Sequence, residues 1–347
     1  MALENWFWSH IDDSTIIFAC VQSAICAGLV GAHGAPGIIF YFGAAMDIFT
    51  KPILVILLLL LAPIYGYAQG CSDAGFCSID ALRPKPHKEE VLRDQMRIGT
   101  FYGNADHAIA VYGMSIAYDQ AWSSSWRSEI KLTSLAQSSE AIQTFGLSDV
   151  LINIHFRASE RMGLSAGIKW PLSDASKELD GLPLPMDHQS SLGTHDLIFG
   201  FSYVTWGIQW AAALQQPITQ NNNQFLSSFY PLENELSAFP STYGFNRSGD
   251  VLLRSSYPIQ MANWTLTPSI LPIYHLRNDR YRDEYGKEQE IDGSKGLTLN
   301  GNLFIDYAWS SKQGLQLAMG FPFIARKARP DGLTRSALLT LEYRFIL

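Results

Sequence analysis

Charge is what this chain has least of. Asp, Glu, Lys and Arg make up 16% of its residues, against roughly a quarter in an ordinary soluble domain. A chain so poor in charge is ill suited to a fully hydrated surface. An excess of basic residues is also missing. The net charge is −7 and the pI about 5.6, which argues against a partner held by phosphate neutralisation, so no nucleic acid is expected. After residue 68 no stretch carries about 18 consecutive apolar residues, so no further membrane-spanning helix is expected. His155, His195 and His275 stand in no catalytic pattern such as G-x-S-x-G, and no segment offers the ligand set of a metal site. The sequence therefore predicts no enzyme, no cofactor and no metal. Aromatic side chains, in contrast, are plentiful at 12%.

The one long apolar run lies early. KPILVILLLLLAPIYGYA, from Lys51 to Ala68, is a basic residue, an apolar core and a small-residue end. That order is a secretory signal peptide, too short for a spanning helix. Met46 opens it, so residues 46–68 read as the signal and Met1–Ala45 as an upstream extension preceding the natural start. The alternative is an additional membrane segment around Thr15–Gly31. Cleavage after Ala68 leaves QGCSDAGFC at the new N-terminus. In an oxidising compartment Cys71 and Cys77 are expected to pair. Residues 69–95 then form a periplasmic segment ahead of the main domain, 96–347.

That domain is written with a period of two. In SALLTLEYRFIL, Ala337, Leu339, Leu341, Tyr343, Phe345 and Leu347 alternate with Ser336, Thr340, Glu342 and Arg344. Strict alternation is a strand with one apolar face. The same rhythm recurs at 96–103, 108–122, 124–136, 148–157, 161–171, 194–204, 206–217, 248–258, 262–276, 295–309 and 313–323. Together these are about twelve strands, each long enough to cross a bilayer when tilted. Several end in Trp or Tyr, as an interfacial girdle does. Tight connections (123–125, 158–160, Thr205, 260–262, 310–312) alternate with longer ones (137–147, 172–193, 218–247, 277–294, 324–334). The expected fold is an all-β antiparallel transmembrane barrel of about twelve strands, with short periplasmic turns and long extracellular loops. A final apolar strand resembles the signal that the barrel-assembly machinery reads, and lipid and lipopolysaccharide are the expected surroundings, in the outer membrane of a Gram-negative bacterium.

The bilayer decides which face is which. Apolar side chains meet lipid and the polar set turns to the lumen. Lumen candidates are Arg127, Glu129, Lys131, Asn153, His155, Arg157, Lys169, Asp250, Arg254, Asn302, Asp306, Glu342 and Arg344, with Asp196, Gln209, Gln215 and Asn300 beside them. Both signs are present, so the set reads either as a charge-paired filling or as a polar path for a solute. In the run RNDRYRDEYGKEQEID, Asp279, Arg280, Arg282, Asp283 and Glu284 are mixed in sign and read as a solvated loop rather than a Ca²⁺ site, and Asp180 and Asp187 in the 172–193 loop are equally unspecific. Aromatics in TQNNNQFLSSFYPLENELSAFPSTYGFNRS could meet a ligand entrance or lipopolysaccharide.

GLSDVLINIHFRASERMGLSAGIKWPL (146–172) and SSLGTHDLIFGFSYVTWGIQWAAALQQPI (190–218) carry a shared rhythm of strand, tight turn and return strand with a proline exit. They resemble the outer-membrane family associated with the meta-pathway of phenol degradation, related to hydrocarbon and long-chain fatty-acid channels. The CSDAGFC segment is similar to barrel proteins of Bacteroidetes-type bacteria. The resemblance covers most of 96–347 and implies passive uptake of small hydrophobic or aromatic solutes. It also implies that residues 69–95 could plug the lumen, although the fatty-acid channels' Asn-Pro-Ala plug start is absent. The other reading is a structural or surface-binding barrel whose lumen is closed by charge.

Overall fold

The computed structural model describes residues 79, 82–85, 93–331 and 337–347. The signal segment, the upstream residues and the Cys71–Cys77 pairing lie outside the described residues. From Gln95 onward the chain forms one sheet that closes on itself. Its strands are β1 (Gln95–Asn104), β2 (Ala110–Ala121), β3 (Trp126–Ser138), β4 (Gln143–Arg157), β5 (Met162–Pro171) and β6 (Asp196–Thr205). They continue as β7 (Ile208–Pro217), β8 (Asp250–Ser256, resumed at Ile259–Met261), β9 (Trp264–His275), β10 (Gly296–Ala308), β11 (Gln313–Ile324) and β12 (Ala337–Ile346). The sheet has thirteen ladder segments; the two halves of β8 are one interrupted strand, which leaves twelve. Every neighbour is antiparallel, and β1 pairs with β12 to close the barrel. The sheet therefore has no long free edge.

The turns show why the hairpins form where they do. Ser123 Oγ accepts from the N–H groups of Ser125 and Trp126. Ser159 does the same for Arg161 and Met162, and Ser310 for Lys312. A serine that caps its own turn is a local fold signal, repeated three times. Trp206 and Gly207 take φ values of 50° and 77°, the two-residue turn whose twist matches its strands.

Alternation sorts the side chains as the sequence predicts. Ile98, Met114, Ile130, Ile152, Leu164, Phe199, Ile270 and Leu341 are exposed on the outside. So continuous an apolar belt, far beyond the few hundred Å² a soluble surface carries, is a lipid-facing one. Aromatics ring its two rims. At the turn end Trp126 stacks near Phe156 (4.7 Å), Trp264 near Tyr307 (4.4 Å) and Trp309 on Tyr343 (5.7 Å). At the loop end Tyr102, Tyr112, Phe145 and Trp170 are exposed.

One loop differs from expectation. The connection read as 137–147 is only Ser139–Ile142, because β3 and β4 run further than their apolar alternation suggests. A register shift at Leu132/Ser134 breaks the period of two there, as a bulge does. The loops that are long, 172–195, 218–249 and 276–295, fold inward. Met186 and Leu192 from the first, Phe245 from the second and Ile291 from the third join Leu151, Ile198, Leu252 and Leu271 of the wall in one buried cluster. A second cluster joins Phe225, Tyr230 and Phe239 to Phe101, Val111 and Leu135 of β1–β3. The extracellular half of the barrel is thus packed, largely by its own loops.

Candidate functional site

Inside the wall, charges meet partners brought by strands distant in sequence. Arg97 faces inward from β1, because Met96 and Ile98 take the lipid side. Its guanidinium holds Asp119 of β2 (2.9 Å) and Glu129 of β3 (2.7 Å), with Glu342 of β12 at 3.7 Å. Lys131 is buried beside them. Across the barrel, Lys169 of β5 is fully buried and meets Asp196 of β6 at 3.0 Å and Thr194 Oγ1 at 3.3 Å. Asp149 of β4 is held by the hydroxyls of Ser148 and Ser191.

At the loop end a third group ties three loops to the wall. His275, the last residue of β9, lies between Asp250 (2.7 Å) and Asp279 (2.8 Å). Arg247 binds Asp250 and reaches Asp331 at 3.7 Å, and Arg326 binds Asp331 at 3.0 Å. Asp279 Oδ1 also accepts from the Ser248 N–H. Asp279 is therefore buried, and the solvated loop read from its neighbours begins only at the exposed hairpin Arg280–Arg282/Glu288–Glu290. Asp283 organises that hairpin by accepting from the N–H groups of Tyr285 and Lys287.

Asp187 is likewise buried rather than solvated, in a short 3-10 turn (Met186–His188). Burial, with Asp106 and Asp331 nearby, pushes its carboxyl up to about 7. The folded loop thus holds its proton more tightly than the unfolded chain, whose carboxyl titrates near ~4. Stability is full below about pH 4, falls as pH rises toward 7 and is then level. Asp187→Asn is expected to flatten that decline, read as the pH dependence of amide exchange in loop 172–195; an unchanged profile would count against it.

Below these layers the N-terminal segment enters the lumen. Arg83 forms two hydrogen bonds to Glu342 (2.9 and 3.1 Å) and one to Gln316. The Leu82 carbonyl accepts from Arg254 Nη1 at 2.7 Å, and both backbone groups of Lys85 bond the Gln209 amide. Leu82 seats against Gly200, where a Cβ would come within 2.7 Å of it. On either side of this strap a cavity opens toward the turn end. The larger, about 690 Å³, takes in Arg127, Asp306, Glu342 and Arg344. The smaller, about 290 Å³, takes in His155, Arg157 and Arg254.

So the residues singled out in the sequence divide. Glu129, Lys131, Asn153, Lys169, Asp250, Arg254, Asp306 and Glu342 are buried, while Arg127, His155, Arg157, Asn302 and Arg344 are partly exposed. Sequence reasoning missed Arg83, Arg97, Arg247, Arg326 and Asp331. Arg97 was legible, since QMRIGTFY alternates about it; the others lie off the strands, where no period marks a direction. His195 is outside the lumen network, edge-on to Trp170 at 4.5 Å.

A closed antiparallel barrel with a lipid-facing belt, aromatic rims and a charged interior is an outer-membrane β-barrel. No protein-family model and no curated protein matches the chain. Among solved structures it is similar to an outer-membrane channel from Pseudomonas putida F1. That match has 11% identity, 76% of this chain and 100% of that one covered, and a TM-score of 0.50. The NanC porin matches with 12% identity over 73% of this chain and 100% of its own, at a TM-score of 0.42.

Proposed function

We propose that the protein is a gated outer-membrane channel passing small hydrophobic or aromatic solutes, with its N-terminal segment as the plug. The observation that carries this reading is the strap Leu82–Lys85. It is held in the lumen by polar side chains of β7, β8, β11 and β12, with Leu82 packed into the buried apolar cluster, and cavities flank it. A barrel built only to be solid has no need of space there. The solved channel of the same fold, and the sequence resemblance to the phenol meta-pathway and fatty-acid channel families, support the same class. Assembly through the last strand, lipopolysaccharide around the rim and a Cys71–Cys77 bridge stiffening the plug belong to this proposal.

The competing reading, a closed barrel that binds a surface partner, draws on the exposed Phe229, Leu232 and Tyr285 at the loop tips. Flux of small aromatics into liposomes separates the two. With residues 69–95 deleted, flux is expected to rise at least tenfold over the protein retaining them. Sealed liposomes in both cases would sink the channel reading and favour the surface-binding barrel.

A further inference from the structure

Among the described residues, cations outnumber carboxylates in the lining of the periplasmic mouth. Six Lys and Arg side chains line the larger cavity, but only two carboxylates, Asp306 and Glu342, among the described residues. Two of the cations have carboxylate partners deep in the wall: Arg83 with Glu342, and Arg97 with Asp119, Glu129 and Glu342. Arg127 and Arg344 sit nearer the mouth. Arg127 donates to the Arg93 carbonyl at 3.4 Å with the Asp94 carboxylate near it, and Arg344 forms a long ion pair with Asp306 at 3.9 Å. Both positions alternate inward from strands whose outward neighbours, Trp126 and Tyr343, belong to the aromatic rim. Positive charge is therefore concentrated at one end of a low-dielectric tube, which focuses its field on the entrance. Near the loop end the balance is reversed: Lys169, Arg247 and Arg326 are each closed on a carboxylate, and Asp149 and Asp279 are added to those.

The rest of the lining mixes amides and hydroxyls, among them Gln260, Asn263 and Gln316, with an apolar fraction. Ala308, Trp309 and Ile346 contribute to that fraction. The cavity's volume is that of a small-molecule site. A guanidinium fork matches a carboxylate in geometry as well as charge. We infer that the periplasmic mouth is a binding site for a small organic anion, an apolar or aromatic body bearing a carboxylate, seated by Arg127 and Arg344. The inference deepens the channel reading and rests on it for its biological use, though the site itself does not require conduction.

Two measurements on the full-length mature protein test it. In detergent, calorimetry compares benzoate with benzyl alcohol. Benzoate is expected to bind and benzyl alcohol not, and the double variant Arg127→Gln/Arg344→Gln to bind benzoate at least about tenfold more weakly, the loss typical of charge-assisted hydrogen bonds. Heat-modifiable gel mobility confirms that the variant is folded, and Arg280→Gln in the exposed hairpin should match the parent. Equal affinity for the two ligands, or benzoate affinity unchanged in the double variant, overturns the site. In planar bilayers under a KCl gradient, the reversal potential of the open state should report anion preference and move toward neutrality in the double variant. A silent bilayer with selective benzoate binding would remove the channel reading and leave the anion site standing. A conducting, cation-selective barrel that ignores benzoate would do the reverse.

Discussion

Replacing Lys169 by Met is expected to destabilise the barrel by about 3–5 kcal/mol, the usual cost of removing one partner from a buried ion pair. Lys169 and Asp196 are both fully buried, so the carboxylate that remains is left away from bulk solvent without its ion-pair partner. Asp196 would keep Gln215 and Thr194 as donors. It would lose its direct ion-pair partner, with Asp149 also nearby in the same layer. The double variant Lys169→Met/Asp196→Asn should recover much of the loss, because a neutral amide can use the same hydrogen bonds. Urea midpoints followed by gel mobility measure both. A loss below about 1 kcal/mol for the single variant would mean that the pair is effectively hydrated.

Arg83→Ala is expected to open the lumen without weakening the wall. The side chain contributes two bonds to Glu342 and one to Gln316, and hydrogen bonds to charged groups are worth about 1.5–3 kcal/mol. Losing about 2 kcal/mol of that shifts a closed-to-open equilibrium roughly thirtyfold. Glu342 retains Arg97 at 3.7 Å, so the wall keeps its charge balance. Glu342→Ala should differ. It unlatches the strap and also leaves Arg83, Arg97 and Lys131 short of a carboxylate, so conductance rises and the urea midpoint falls together. Single-channel recording beside unfolding tells these apart. Equal stability loss in the two variants, with no change in open probability, would make the strap a structural filling instead of a gate.

Most of the wall was readable from sequence because a strand between lipid and a polar interior has to alternate. Trp126, Ile130 and Leu132 against Arg127, Glu129 and Lys131 are a complete statement of which way β3 faces. Reading failed where the alternation is broken. The bulge near Leu132 hid the true length of β3 and β4, and so a four-residue turn passed for a long loop. Which inward charges meet was not readable. Period says that Arg97 and Glu342 both point inward, but only barrel closure brings β1 beside β12. Nor does composition reveal that Asp187 and Asp279 are buried, since a polar loop folded into a barrel has the residue content of one in water.

The barrel has one seam between the two ends of its sheet. Ten residue pairs, from Gln95–Ile346 to Asn104–Ala337, join the first strand to the last. Until those two segments meet, any partial sheet has two open edges, each a template for a wrong neighbour. The wall closes only where its two ends meet, so a lesion in the last strand does not shorten the barrel by one stave but leaves the whole cylinder unhooped.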